Sequence, residues 1–438
     1  MKHHINNYYL HGDISKYRRT RGLYIIEAAL EYFFSLMLTG AYIAKVANTI
    51  GMSDALVGII STASTLGCTF QLFALFLANK RPVKHWVFIS HTINQLFFTA
   101  VWFIPLFDMN AGAKTIIFMV ALIGGWIINH VINSPKISWY MSMVDNRKRG
   151  RFTAKKEMVS LVGGMFFTLA MSSIIDNLEA SGNMRTAFLV GGFTMLGLTV
   201  GHSLTLIFSY ERPPKKSEVS EGIFDSIKKL LKNKKLGCVL VFATVGKMAV
   251  SIAQPFYGTY QINELGFSLT FVSIIGVVHV GVRCLASVFM GKYADKTSFV
   301  NMLNVAYIFH FVGFVIMMFC TPSNGMITYT LYYAVLEAIF QAGFGNGVMN
   351  LVYDTVDKNE RTGAFALYNA FSGLAGFLTT LLCSAVVSAI QASGNTVFGM
   401  SMYAQQFLSA VSSAVVALSI VYMNTVLKMK FKKEKHNV

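Results

Sequence analysis

Glutamate, lysine and arginine residues interrupt several long apolar runs of this sequence, and their types and spacing could carry charges or protons. Glu27 and Glu31 lie four residues apart in one run, and Lys247, Arg283 and Glu337 each interrupt another. Residues at i and i+4 share one face of a helix, so the first two carboxylates lie close together. Two carboxylates that close in a low-dielectric environment cannot easily both ionise. We therefore predict that Glu27, Glu31 and Glu337 are proton-binding residues.

A structural role is the alternative for the same carboxylates. In that case Glu27 lies near the lipid headgroups, and Glu31 forms an ion pair with Arg283 or another cation. A charge at the centre of a membrane-spanning helix costs roughly 2.5–3.5 kcal/mol, so an isolated carboxylate there needs a partner. Glu31 and Lys247 each lie about ten residues, or roughly 15 Å, from one end of their runs, which places both near mid-membrane.

Polar and aromatic side chains in the same apolar runs suit the binding of a polar solute. Amide groups both donate and accept hydrogen bonds, and aromatic faces can stack on a sugar or on an aromatic ligand. Hydrogen bonding between helices is the alternative role for the amides and for His130. The candidates for solute binding are Trp126, Asn129, His130, Lys247, Tyr257, His279, Arg283 and Gln341.

Four other embedded residues are interpreted as structural. Lys45 and Lys136 are expected near the ends of their runs, with their ammonium groups extended to the membrane interface. His91 and His310 are expected to be packed between helices. The five cysteines are scattered through apolar stretches without a C-x-x-C pair, so neither a metal site nor a disulfide framework is predicted.

Membrane-spanning helices are the elements that must position all of these residues. Of the 438 residues, 54% are hydrophobic and only 13% are charged, whereas soluble domains carry about 25% charged residues. Runs long enough to cross about 30 Å of hydrocarbon predict an all-α membrane protein with twelve transmembrane helices. The predicted spans are 22–47, 53–78, 85–107, 114–143, 154–176, 185–209, 237–262, 268–290, 298–320, 327–353, 363–390 and 398–427.

The distribution of basic residues predicts the orientation of these helices. The net charge is +17, and 31 of the 37 Lys and Arg residues lie in the termini and in alternate loops, on one side of the membrane. Basic loops face the cytoplasm and its anionic lipids, so both termini are expected to be cytoplasmic. The same placement makes the lipid bilayer, and not nucleic acid, the expected partner. Because we recognise no removable signal peptide and no N-x-[ST] sequon, we expect a multi-pass protein of a bacterial cytoplasmic membrane.

Two similar loops indicate that the chain consists of two related halves. Asp145 and Arg149 follow the fourth predicted span, and Asp357 and Arg361 follow the tenth with the same spacing. An Asp and an Arg at i and i+4 can pair across one helical turn, and such repeats indicate a two-half design. The predicted parts are an N-terminal cytoplasmic segment at 1–21, a six-helix bundle at 22–209, a linker with an amphipathic helix at 210–236, a second six-helix bundle at 237–427 and a basic tail at 428–438.

The layout of six spans, a basic central loop and six spans resembles the major facilitator superfamily. The loop after the eighth span carries Gly291, Asp295 and Lys296 in the G-x-x-x-D-[RK] pattern of that family's cytoplasmic motif, whereas the corresponding loop at 78–84 lacks the Asp. The resemblance implies two six-helix bundles built from inverted repeats, with the first, fourth, seventh and tenth spans around a cavity. The candidates for a gating network are Gly291, Asp295, Lys296, Asp145, Arg149, Asp357 and Arg361.

The same resemblance implies a secondary transporter that works by alternating access. No Walker-type phosphate-binding loop is present, so we expect a proton or a sodium ion to drive transport, without cofactor, metal or catalytic residue. Drug-efflux antiporters of that family typically carry an Arg in the fourth span and a Gly-Pro motif in the fifth, and this sequence has no Arg in the fourth and no Pro in the fifth. The resemblance therefore implies uptake of a small polar solute, such as a sugar or glycoside, by proton symport. A proton-coupled efflux antiporter of drugs or metabolites is the alternative, and a membrane-embedded enzyme or a lipid flippase is the alternative from another class. The expected oligomeric state is a monomer.

Overall fold

The computed structural model describes residues 14–78, 82–144, 149–211, 223–357 and 360–431, which are almost entirely helical. The helices of the N-terminal half are α1 (Ile14–Met37), α2 (Gly40–Thr49), α3 (Asp54–Ser61), α4 (Ala63–Ala78), α5 (Lys84–Phe103), α6 (Ala111–Met141), α7 (Arg149–Ala180) and α8 (Met184–Phe208). Those of the C-terminal half are α9 (Ile223–Lys232), α10 (Lys234–Ala253), α11 (Leu269–Lys296), α12 (Phe299–Met317), α13 (Gly325–Thr330), α14 (Ala338–Tyr353), α15 (Arg361–Ala392) and α16 (Ala404–Tyr422).

Short helical turns extend several of these helices, and a small hairpin precedes α16. The hairpin pairs β1 (Thr396–Val397) with β2 (Met400–Ser401) in antiparallel register. The turns are Ile104–Leu106 after α5, Gln254–Phe256, Tyr257–Thr259 and Tyr260–Glu264 after α10, Leu331–Glu337 after α13, and Met423–Leu427 and Lys428–Phe431 after α16.

The helices confirm the predicted all-α membrane architecture. Among the described residues, nine helices are long and apolar enough to span a membrane, and a tenth span is the bent pair Tyr17–Met37 and Gly40–Thr49. These ten coincide with ten of the twelve predicted spans. The predicted spans 53–78 and 327–353 also fall on helical residues, but each consists of more than one helix, because the chain is interrupted at Thr62 and passes through a π-helical turn before α14.

The chain packs as two compact units, and one of the boundaries between them, at Leu72 and Phe73, lies inside α4. The first unit comprises Met1–Leu38 and Phe73–Val219, and the second comprises Thr39–Leu72 and Ser220–Val438. The first boundary lies where α1 and α2 meet at 49°. Gly40 has a φ of +57° there, a left-handed conformation that only glycine adopts without strain. Residues 39–72, which precede most of the first unit along the chain, therefore pack with the second unit.

Within the first unit, α5 packs against α6 and α8, and α1 packs against α7 and α8. Glycines permit the closest approaches of these helices. A Cβ added to Gly125 would lie 2.4 Å from the ring of Phe98, and one added to Gly191 would lie 2.1 Å from the ring of Trp102. The four helices α1, α5, α6 and α8 thus surround a tightly packed interior, in which any polar side chain needs a protein partner.

Within the second unit, α10 packs against α15 and α16, α12 against α14 and α16, and α11 against α14. Leu230 of α9 is buried next to α15, so the predicted amphipathic linker helix contacts the protein through its apolar face. The rest of the linker at residues 212–222 lies outside the described residues. The π-helical turn Leu331–Glu337 ends at Glu337, and such turns in α-helices frequently occur at functional sites.

Candidate functional site

The ammonium group of Lys136 lies at the centre of a buried polar cluster in the first unit. Its Nζ lies 2.7 Å from Oε1 of Glu27 and 2.5 Å from Oε2 of Glu31. It also lies 2.9 Å from Nε2 of His91. The side chain of Lys136 is only 1% exposed. The prediction that this lysine reaches the membrane interface is therefore wrong, because two carboxylates neutralise its charge inside the protein.

The two glutamates occupy the same face of α1, as their spacing predicted, but they differ in exposure. Glu27 is completely buried, so the alternative that places it near the headgroups is wrong. Glu31 keeps 26% exposure, and its Oε1 accepts a hydrogen bond of 3.1 Å from Nδ2 of Asn129. Glu31 is therefore the member of the cluster that water or a solute can reach, and its cation partner is Lys136.

Two buried histidines complete the cluster, one from α5 and one from α8. Nε2 of His202 lies 2.9 Å from Oε1 of Glu27, and the ring centroids of His91 and His202 are 4.4 Å apart. Nδ1 of His91 lies 3.1 Å from Oδ1 of Asn94. Because an amide oxygen only accepts, Nδ1 carries the proton and Nε2 is left to accept from Lys136. His91 is thus more than a packed residue, contrary to prediction, and His202 is missing from the sequence-based candidates.

The charges of this cluster do not balance when both imidazoles are neutral. Two carboxylates, from Glu27 and Glu31, then face one ammonium group, from Lys136, which leaves one negative charge in the protein interior. Uncompensated buried charge is costly, so one additional proton would stabilise the cluster. Oε2 of Glu27 and Nδ1 of His202 are buried and have no hydrogen-bond partner among the described residues, so both atoms are available to that proton.

The same donors resemble a metal site in composition. One ligand atom from each of Glu27, Glu31, His91 and His202 lies within 4.8 Å of the others. However, the ammonium group of Lys136 already lies within hydrogen-bond distance of Glu27, Glu31 and His91. A metal ion could bind these ligands only by displacing the ammonium of Lys136. The positive charges of the metal ion and of the displaced ammonium would then repel each other. The geometry suits proton exchange better than metal coordination.

The remaining first-unit candidates, Trp126 and His130, lie on α6 close in sequence to Asn129. Both are half-buried, and their rings have centroids 6.1 Å apart. Trp126 also packs against Phe98 at 5.0 Å. Of the first-unit candidates on α6, Asn129 contacts Glu31 directly.

A second buried carboxylate lies in the second unit. Oε2 of Glu337 lies 2.9 Å from Nδ1 of His310, and both side chains are almost completely buried. Gln341 donates to Oε1 of Glu337 at 3.0 Å, and Arg283 donates to Gln341 at 3.4 Å. His310 is packed as predicted, since its ring stacks on that of Phe340 at 3.8 Å. It is also the nearest partner of the Glu337 carboxylate.

Other second-unit candidates differ in how accessible they are. The hydroxyl of Tyr257 is 2.7 Å from that of Ser409, and its ring is buried, so the structure gives it a packing role. Nδ1 of His279 lies 2.7 Å from the carbonyl oxygen of Tyr333, to which it donates. Lys247 is half-buried and forms no hydrogen bond or ion pair with any described residue.

Among the described residues of the second unit, the structure shows no ion pair between the predicted gating residues. Asp145 lies outside the described residues, as does the side chain of Arg149. Gly291, Asp295 and Lys296 are exposed in the last turns of α11. Within the described part of the chain Asp295 has no ion-pair partner. The guanidinium of Arg361 lies 5.2 Å above the ring of Tyr353 and, like the exposed Asp357, it forms no ion pair there.

Comparison with known proteins confirms the predicted family resemblance. The model of the family described as Major Facilitator Superfamily matches residues 26–380. No curated protein sequence matches the chain. Among solved structures, the nucleoside transporter NupG has a TM-score of 0.69 and 14% identity, over 93% of this chain and 99% of that chain. A D-xylose-proton symporter has a TM-score of 0.68 and 12% identity, over 93% and 97% of the two chains. At such identities the similarity is one of fold.

Proposed function

Because the chain belongs to the major facilitator superfamily, we propose that it is a secondary active transporter that takes up a small polar solute together with a proton. The proposed location is the cytoplasmic membrane, with both termini cytoplasmic, and the proposed solute is hydroxyl-rich, such as a sugar or glycoside. Alternating access to a site near mid-membrane is the transport cycle that this family membership supports. The protein acts as a monomer in this proposal.

The observation that carries the proposal is the unbalanced charge around Lys136. Ionisable residues inside membrane spans are expensive and commonly form proton relays. Here Glu27, Glu31, Lys136, His91 and His202 contact one another in the interior of the first unit. A structural ion pair needs one anion for one cation, and this cluster contains a second carboxylate and two imidazoles. That surplus of proton-accepting groups supports a coupling role.

A route for the proton follows from the exposure of the members. The proton enters at Glu31, the exposed member, and passes to the buried members, which contact Lys136 and one another. Nδ1 of His202 and Oε2 of Glu27 are the buried atoms that can hold it. With the proton bound the cluster has no net charge. A neutral cluster loses less electrostatic free energy than a charged one when a conformational change alters the groups around it. Proton binding thereby favours the conformational change that moves the solute.

The similar structures support the choice of solute. One is named a nucleoside transporter and another a D-xylose-proton symporter. Ribose and xylose rings carry several hydroxyl groups, which both donate and accept hydrogen bonds. The partly exposed carboxylate of Glu31 and the amide of Asn129 offer acceptors and a donor, and the rings of Trp126 and His130, which lie on the same helix as Asn129, offer apolar faces.

Uptake into proteoliposomes tests the proposal. The probes are labelled D-xylose, D-glucose, a β-glucoside and uridine, with and without an imposed pH gradient and with a pH dye inside the vesicles. We expect at least one probe to accumulate only with the gradient and to carry protons with it. Glu27→Gln and Glu31→Gln should abolish accumulation but leave exchange of solute across the membrane, whereas Asp108→Asn, in an exposed loop, should behave like the wild type.

Three results would contradict the proposal in different ways. Solute accumulation that is independent of the pH gradient, together with normal transport by Glu27→Gln and Glu31→Gln, would exclude proton coupling through this cluster. Accumulation driven by a gradient of the opposite sign would favour the efflux alternative. Chemical turnover of a probe in detergent, where no sealed compartment exists, would favour a membrane enzyme.

A further inference from the structure

Lys247 is an embedded cation whose partner is missing from the described part of the chain. It lies in the middle of α10 in the second unit and forms no hydrogen bond or ion pair there. The embedded Lys136 of the first unit, by contrast, contacts two carboxylates. A lysine near the centre of a span costs roughly 2.5–3.5 kcal/mol unless something compensates its charge. An anion close to the ammonium of Lys247 would therefore offset the cost of embedding its charge.

Close helix packing holds the aliphatic part of Lys247 in place. A Cβ added to Gly376 of α15 would lie 3.1 Å from Cγ of Lys247, 2.8 Å from Oγ of Ser251 and 3.0 Å from Cγ2 of Thr65. The lysine chain thus runs over a glycine at the place where α4, α10 and α15 meet. A side chain fixed in this way loses little further rotamer freedom when its ammonium binds a ligand.

The surroundings of Lys247 are polar but contain no acid. Among the described residues, the titratable group close enough for an electrostatic interaction with Lys247 is the thiol of Cys68 on α4, which is also close enough to interact with the hydroxyl of Tyr368 on α15. At the next residue of α4, Oγ1 of Thr69 is buried without a hydrogen-bond partner among the described residues. Nδ2 of Asn369 donates to Oε1 of Gln71 at 2.8 Å, again between α15 and α4. Donors are plentiful here, and no described carboxylate neutralises Lys247.

We propose that Lys247 binds an oxyanion group, a carboxylate or a phosphate, of the transported solute. This inference rests on the proposed function and narrows the solute to a polar molecule with one acidic group, such as a sugar acid or a sugar phosphate. The ammonium supplies charge-assisted hydrogen bonds to that group. The half-buried side chain is accessible to a ligand, and its stem is already held by α15.

Thermal unfolding of the full-length protein in detergent tests this binding without any vesicle or gradient. Matched probes differ only in the acidic group: D-glucuronate and D-glucose 6-phosphate against D-glucose, and uridine 5′-monophosphate against uridine. We expect one acidic probe to raise Tm at a concentration about tenfold or more below that of its neutral counterpart, as a charge-assisted hydrogen bond implies. Whether the carboxylate or the phosphate probe gives the shift identifies the type of oxyanion.

Two variants and a control assign that preference to Lys247. Lys247→Gln should remove the preference for the acidic probe, and Lys247→Arg should retain most of it. Lys292→Gln, on the exposed last turns of α11, should bind both probes like the wild type. If Lys247→Gln does not fold, Gly376→Ala replaces it, because the added methyl displaces the lysine stem and should weaken binding of the acidic probe alone.

Two outcomes overturn the inference. One is that no acidic probe binds more tightly than its neutral counterpart, and the other is that the Lys247→Gln protein keeps the full preference. Either outcome leaves proton coupling untouched, since that is measured by accumulation in vesicles. Conversely, a Lys247-dependent preference in a protein that transports without a pH gradient would contradict the proposed coupling and leave the oxyanion site standing.

Discussion

Nε2 of His202 lies 2.9 Å from Oε1 of Glu27, and neither side chain is exposed. The same oxygen of Glu27 accepts from Nζ of Lys136 at 2.7 Å. One carboxylate oxygen therefore joins α1 to both α6 and α8. Since the opposite nitrogen of His202 has no partner among the described residues, this imidazole can take up a proton without losing its bond to Glu27.

A glutamine at position 202 should separate hydrogen bonding from proton uptake. His202→Gln can still donate to Glu27, but it cannot ionise. We expect its initial rate of solute uptake to lose most of the pH dependence seen in the wild type, while exchange of solute continues. His85→Gln, whose imidazole is exposed at the start of α5, is the matched control. A His202→Gln protein with the wild-type pH profile would remove this imidazole from the proton route.

Removal of the central ammonium should destabilise the first unit strongly. Lys136→Met leaves two carboxylates without their cation, and breaking a buried ion pair in this way costs about 3–5 kcal/mol. We expect a lower Tm in detergent. The triple variant Lys136→Met, Glu27→Gln and Glu31→Gln should recover most of the loss, because it removes the unpaired charges as well. A single variant as stable as the wild type would show that water already compensates these charges.

The close contact of two glycines in the second unit should not tolerate a side chain. A Cβ added to Gly258 would lie 2.8 Å from the carbonyl oxygen of Gly40, a backbone atom that cannot rotate away. Gly258→Ala should therefore reduce stability by roughly 1–3 kcal/mol. Gly237→Ala in α10, where no atom lies within 4 Å of the added Cβ, should instead stabilise by roughly 0.5–1 kcal/mol. Unfolding of both variants in detergent gives the comparison.

The attachment of α9 should weaken in acid. Nζ of Lys229 lies 2.6 Å from Oε1 of Glu360, and this hydrogen-bonded ammonium holds the pKa of Glu360 below its usual value. Because the carboxyl pKa is lowered in the folded protein, the ion pair contributes its full stabilisation at pH values above the ordinary pKa of a glutamate. That stabilisation is lost as the pH falls through the lowered pKa of Glu360. For such an exposed pair the effect is at most about 1 kcal/mol.

Hydrogen exchange of the amides in Ile223–Lys232 measures this attachment. Protection of α9, corrected for the intrinsic exchange rate, should fall as the pH drops below the usual range of a carboxyl group. Glu360→Gln should show the low-pH level of protection at neutral pH, whereas Lys232→Gln, an exposed neighbour on the same helix, should not. Equal protection of the wild type and Glu360→Gln at neutral pH would mean that apolar contacts of Leu230 alone hold the helix.

Local pattern was sufficient to predict the helices and one part of the site. Span positions depend on the length of each apolar run, and the common face of Glu27 and Glu31 depends on their spacing, so both can be read from consecutive residues. The interruptions at Thr62 and before Ala338 could not be predicted in this way, because packing against other helices determines where a span bends or passes through a π-helical turn.

The partners of those glutamates could not be predicted because they come from distant helices. Lys136 lies near the end of α6. An ammonium at such a position can pair either with lipid headgroups or with buried carboxylates, and its position in the sequence does not distinguish the two. His202 stands in an apolar run without any neighbouring motif. One feature of the sequence could have indicated these partners: each embedded carboxylate requires a cation or a hydrogen-bond donor. A search of the first six predicted spans for such side chains would have included Lys136, His91 and His202.

The break between α1 and α2 has a mechanical consequence. Glu31 precedes Leu38, the last residue of the first unit at this boundary, by about two helical turns, and the next residues, Thr39 and Gly40, already belong to the second unit. Any change in the backbone of α1 at Glu31 is therefore linked by covalent bonds to Gly40, whose positive φ marks the start of α2. The embedded carboxylate and the break between α1 and α2 therefore lie on one continuous stretch of backbone.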